Sequence, residues 1–280
     1  MRWILRRVPT LRSSRLPAPA RLKEVRGSAD GVAFVLGRPD VCEIAKELYW
    51  GGGRRPDPAD DLAVRLFTRL ARDADVAVDI GAYTGIFTLV SALANPRIRV
   101  HAFEIVPDVY KVLFENCVRN DVLHQVTLHH YGIGAPDRIA VFPAVATGSA
   151  LPSFYSTRLT FESGVRIEFR SLDSLPALIG EGSTVIMKID VEGTENEVFE
   201  HGRQFLAAFS PDILCEVLHG VSDPPALTRI LESLGYRYYL VRDSGLTPES
   251  TIQADRRFRD WFFTLRSPQD ISHLVDGSEA

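Results

Sequence analysis

Apolar positions along this chain fall into two rhythms. Residues 31–36 form a short apolar run that predicts a strand. Residues 40–49 predict a helix, stopped by Gly51, Gly52 and Gly53. A turn-rich linker over 54–58 leads to a second helix over 59–72, where Leu62, Leu66 and Leu70 recur at helical spacing. From Asp75 onward strand and helix patterns alternate. Strands are predicted at 76–80, 99–103, 126–131, 166–170, 184–190, 213–217, 236–241 and 261–265, with 139–142 extending a hairpin. Helices are predicted at 84–93, 107–119 and 225–234, and Pro107 suits a first helical turn. Such alternation argues for an α/β domain with a mostly parallel sheet covered on both faces. The expected organisation is a basic tail over 1–26, a small strand-and-helix cap over 27–73, the main domain over 74–266 and a C-terminal tail over 267–280.

Length and composition narrow the partners. The 280 residues are 45% hydrophobic and carry a formal net charge of -4, a balance that argues against a nucleic-acid binder. Cys42, Cys117 and Cys215 form no CxxC pair and no metal-ligand spacing, so a reduced, cytoplasmic setting is expected. No stretch approaches the roughly 20 apolar residues of a membrane span. Arg2, Arg6, Arg7, Arg12 and Arg15 alternate with Trp3, Ile4, Leu5 and Val8. That pattern reads as a mobile tail or as a weak membrane-surface or partner-binding arm.

The chemistry begins at a strand-to-helix junction, Asp79-Ile80-Gly81-Ala82-Tyr83-Thr84-Gly85. Two glycines there let a ligand approach the backbone. The spacing is GxxxG, lacking the middle glycine of a dinucleotide turn, and Asp79 precedes it. An acid at that place suits a ligand with positive charge better than a pyrophosphate. Glu104 ends the next strand, a suitable place for a carboxylate that accepts hydrogen bonds from ribose hydroxyls.

Residues 184–193, TVIMKIDVEG, are the most informative segment. Alternation across a strand sends Val185, Met187, Ile189 and Val191 one way and Lys188, Asp190 and Glu192 the other. Three ionisable groups on a central strand need partners or an open crevice. They form either an ion pair under a loop or a site where a substrate hydroxyl loses its proton. Thr194 to Glu197 fits a capping box, with Glu195 as a first-turn acid. Glu216 ends a later strand with His219 close behind, and both are candidate substrate contacts. Asp190 and Glu216 would also suit a divalent metal, a role not favoured over substrate binding or an arginine partner. The small-residue loop over 144–155 is a candidate lid.

The ordered set VDIGAYTGIFTL, HAFEIVPDVYKVLFENCVRN, SLDSL, MKIDVEGTENEVFEHG, PDILCEV and WFF resembles the FkbM-type methyltransferase family over residues 74–265. The resemblance implies a class I methyltransferase fold, Rossmann-like, with seven strands of which the last is antiparallel. It implies S-adenosylmethionine as methyl donor and an O-methyl product on natural-product or sugar hydroxyls. The family's glycine turn falls on Asp79, Gly81 and Gly85, its ribose acid on Glu104, and its acidic motif on Asp190, Glu192 and Glu195. Cofactor contacts are expected from Asp79, Gly81, Ala82, Tyr83, Gly85, Glu104, Ile105 and Asp190, and acid–base chemistry from Lys188, Asp190 and Glu192. The chain departs from the family pattern at Ile105, where proline is common, and at Tyr83, where a small polar residue is common.

The expectation is therefore an S-adenosylmethionine-dependent O-methyltransferase of a small molecule or sugar. The rivals are an NAD-dependent oxidoreductase, disfavoured by the missing glycine, and a non-catalytic relative, disfavoured by the intact Asp79, Glu104 and Asp190.

Overall fold

A computed structural model describes residues 16–142 and 163–275. The candidate lid over 144–155 and the arginines from Arg2 to Arg15 lie outside the described residues. The chain opens with a hairpin, β1 (Glu24–Ala29) and β2 (Val32–Gly37), then α1 (Glu43–Gly51) and α2 (Pro58–Arg72). β1 begins within the stretch expected to be tail. Its single-face burial had no strong sequence signal, because Arg26 and Ser28 separate small buried residues. α2 starts one residue early, with Asp57 capping it through Ala59 N at 2.9 Å and Pro58 in the first turn.

The main sheet has eight strands. β3 (Val76–Ile80), β4 (Arg99–Phe103), β5 (Val126–His129), β9 (Val185–Ile189) and β10 (Asp212–Glu216) run parallel. β11 (Arg237–Arg242), β12 (Gly245–Glu249) and β13 (Asp260–Thr264) complete it in the order β12-β11-β13-β10-β9-β3-β4-β5. β13 lies antiparallel between β10 and β11, as expected for the last strand. The eighth strand, β12, is an edge strand hairpinned onto β11. Its sequence, GLTPE, contains a proline and little apolar signal, and an edge position tolerates both. A small separate sheet pairs β6 (Gly132–Ile133) and β7 (Ile139–Phe142) with β8 (Val165–Arg170).

Helices cover both faces. α2, α3 (Ile86–Ala94) and α4 (Pro107–Arg119) contribute to one buried cluster, joined by the hairpin and by α9 (Pro268–Val275). α2 packs along α3 and reaches β10, β11 and β13, so it belongs to the layer on that face. The other face is covered by α5 (Pro176–Ile179), α6 (Glu195–Glu200), α7 (Arg203–Phe209) and α8 (Pro224–Ser233). Alternation on β9 behaves as read. Val185, Met187 and Ile189 enter the second cluster while Ile186 enters the first. No described helix is long and apolar enough to cross a membrane.

Candidate active site

The glycine turn joins β3 to α3 and needs the left-handed backbone at three positions: Gly81 (φ 81°), Tyr83 (φ 50°) and Gly85 (φ 95°). At Gly81 a second constraint applies, since a Cβ would stand 1.8 Å from the Asp190 carbonyl oxygen. The tips of β3 and β9 are also stitched by Asp190 N donating to the Ile80 carbonyl at 2.9 Å. The amides of Gly81 and Ala82 donate to the Phe103 carbonyl, tying the turn to the end of β4.

Asp79 and Glu104 flank this turn. Asp79 accepts the Thr88 hydroxyl on Oδ2 at 2.6 Å, while its buried Oδ1 accepts no hydrogen bond. Burial raises it to about 6, against the pull of Thr88 and Lys188. Glu104 accepts the Val106 amide at 2.7 Å and the Tyr83 amide at 2.9 Å. It has no cationic partner among the described residues, and burial raises it to about 7. The Tyr83 phenol turns from the crevice towards Cys42 and Glu43, where burial pushes its pKa up. Ile105 packs at the edge of the first core cluster.

The hairpin and α1 hold the turn from behind. Cys42 Sγ lies 3.1 Å from the Thr84 hydroxyl. Buried Asn116 on α4 accepts the Gly37 amide and donates to the Thr84 carbonyl, both at 2.8 Å.

At the tips of β9, β10 and β13 the charges gather. Lys188 lies beside Asp79 in register, with its side chain 2% exposed. Its ammonium donates to Asp260 Oδ1 at 3.3 Å and stands 3.7 Å from Asp190 Oδ2, with the Phe87 ring 5.2 Å away. Burial works against its charge, but Asp260, Asp190 and Glu216 outweigh that and hold it protonated. Glu216 is nearly buried and pairs with Arg259 at 3.0 Å. Burial and Asp190 push its pKa well up. Carboxylate oxygens of Asp190, Glu192 and Glu216 lie within 4.8 Å of one another, close enough to share one divalent cation. His219 lies at the exposed rim and accepts from Arg256 Nε at 3.2 Å.

Glu192 reaches this cluster by a route that strand alternation did not foresee. β9 ends at Ile189, and Glu192 adopts φ 55° in the turn that follows. Burial, Asp190 and Glu195 raise it to about 8. The capping box expected after it is not formed. Thr194 donates to the Val191 carbonyl, and Glu197 pairs with Arg138 at 2.9 Å. Glu195, read as a first-turn acid, is fully buried and ties two loops together. It accepts the Gly193 amide and the Ser222 hydroxyl, both at 2.8 Å.

Residues 79–238, more than half of the chain, match the methyltransferase FkbM domain. This chain belongs to the FkbM methyltransferase family. Among solved structures it is similar to methyltransferase FkbM from Methylobacillus flagellatus KT. That match has 19% identity and a TM-score of 0.46, over 68% of this chain and 44% of that one. The chain thus spans less than half the length of that relative. It is also similar to a SAM-dependent methyltransferase from Agrobacterium tumefaciens. There the identity is 11% and the TM-score 0.48, over 90% of this chain and 73% of that one. No curated protein matches it.

In this FkbM chain, sequence reasoning overlooked Asp260 and Arg259. The available signal was the Arg259-Asp260 pair opening the aromatic run Trp261-Phe262-Phe263. An antiparallel last strand starts where its parallel neighbours end, so those two charges had to emerge at the crevice.

Proposed function

We propose that this chain is an S-adenosylmethionine-dependent methyltransferase that acts on a hydroxyl oxygen of a small molecule, natural product or sugar. The observation that carries the reading is the pair Asp190 and Glu192. Neither side chain accepts a hydrogen bond among the described residues; Asp190 stands against the glycine turn at Gly81, and Glu192 shares its carboxylate cluster with Glu216. The residues fit the cofactor on chemical grounds. Glu104 keeps lone pairs beyond its two amide contacts for a ribose diol. Asp79 keeps an orphaned oxygen. A crevice rich in carboxylates favours a cationic ligand.

When bound, the cofactor supplies a methyl group already activated on a sulfonium. The protein's own work is to align the acceptor and to take up its proton. Asp190 is one candidate base, and Glu192, raised past neutral to about 8, is another once it is ionised. Lys188 is held as a cation and serves instead to balance the carboxylates. Glu216 and His219 line the acceptor side. No metal is assigned to this cluster, because Lys188 and Arg259 already supply it with cations.

Calorimetry with S-adenosylhomocysteine tests the cofactor placement. Asp79→Ala and Glu104→Ala should each weaken binding, by about tenfold or more. Unchanged affinity in both variants refutes the placement. A fluorescence titration with NADH should give no saturable signal. Methyl transfer to a panel of hydroxylated acceptors, read by mass spectrometry, then tests the acceptor class. Transfer only to nitrogen or carbon acceptors would overturn that part.

A further inference from the structure

The Lys188 ammonium is buried between two carboxylates, and it engages them unequally. Asp260 accepts its hydrogen bond at 3.3 Å, whereas Asp190 stands at 3.7 Å, an ion contact without a hydrogen bond. The two acids come from different strands. Asp190 follows β9, and Asp260 opens β13 opposite Glu216. Arg259, the residue before Asp260, pairs with Glu216 at 3.0 Å. The start of the last strand therefore brings an anion to the crevice's buried cation and a cation to the buried carboxylate of Glu216. Asp190 and Glu192 are the acids left open.

We infer that Asp260 is a positioning residue: by holding the Lys188 ammonium, it keeps the Asp190 carboxylate free for ligand. The inference rests on reading the crevice as a methyl-transfer site. A buried ammonium has to keep a partner. With the charge of Asp260 removed, Asp190 is the nearest carboxylate, and a shift of less than about 1 Å would close the hydrogen bond. An Asp190 so engaged competes poorly for a ligand's ammonium or hydroxyl.

The test combines crystal structures with calorimetry of S-adenosylhomocysteine on the full chain. In Asp260→Asn the Lys188 ammonium should move to about 3 Å from Asp190, and affinity should fall about tenfold. Asp260→Glu should restore most of it. The double variant K188M/D260N, which removes both buried charges, should bind more tightly than D260N alone and remains informative if D260N does not fold. A Lys188 that stays put in D260N, or a double variant that binds no better than D260N, would overturn the inference. If D260N does not fold, a double variant binding less tightly than the wild type would overturn it. If the wild type itself binds no S-adenosylhomocysteine, the cofactor reading fails. The movement of Lys188 in D260N still decides the positioning claim.

Discussion

At Glu104 the chain removes a carboxylate from water with no cation beside it among the described residues, leaving two backbone amides to support its charge. The result is a folded value near 7, raised by burial from 4.5. Ribose hydroxyls donate best to the ionised form. Affinity for S-adenosylhomocysteine should therefore climb between about pH 6 and pH 8 and then level off. Glu104→Gln should flatten that climb around pH 7, leaving the smaller parts due to Asp79 near pH 6 and Glu192 near pH 8. The sign for stability is opposite. A folded value above the unfolded one gives stability that is present below about 4.5 and lost as pH rises through about 7. Melting temperatures of the ligand-free Gln variant should vary less over that range than those of the wild type. Asp79, Glu104 and Asp190 were legible in the sequence because each stands at the end of a strong apolar strand. Asp260 was not, because its place depends on sheet order, and order is set by pairings distant along the chain.

Elements that bury a regular pattern were legible almost to the residue, and those fixed by side-chain exchange were not. β3, β4 and α4 match their expected bounds, since burial follows period in each. The turn after β9 defeated the motif reading. A capping box requires Thr194 and Glu197 to serve each other, and Arg138 and the Val191 carbonyl offered both better partners. The link between α4, the hairpin and the glycine turn was equally invisible, because Asn116 looks like any helical asparagine. It bridges the Gly37 amide and the Thr84 carbonyl in a buried setting. Asn116→Ala should leave both unpaired and lower stability by about 3 kcal/mol, measured by denaturant unfolding. Affinity for S-adenosylhomocysteine should fall as well, because the turn loses its rear support. A variant that keeps both wild-type stability and affinity would show that the bridge is incidental.

For the whole molecule, strand order decides which ends of the chain can be spared. β13 is last among the strands in sequence yet lies between β10 and β11, so the sheet closes only when the C-terminal part of the chain inserts. Its Trp261, Phe262 and Phe263 are buried, on alternating faces, and contribute to both core clusters. A chain stopped at residue 255 would leave β11 and β12 detached from the parallel strands and should show no cooperative unfolding transition. It would also lose Arg259 and Asp260, and with them the ion partner of Glu216 and the hydrogen-bond partner of Lys188. A chain stopped at residue 266 removes, among the described elements, α9 alone. That helix buries Ile271 and Leu274 and holds Arg69 through the Leu274 carbonyl. Its removal should cost about 3–6 kcal/mol of apolar burial while leaving every crevice residue in place. Circular dichroism melts of the two truncations should differ in kind, with the shorter chain lacking a transition and the longer one melting cooperatively at a lower temperature. S-adenosylhomocysteine should still raise the melting temperature of the longer chain. A cooperative transition in the shorter one would mean that the parallel half folds alone.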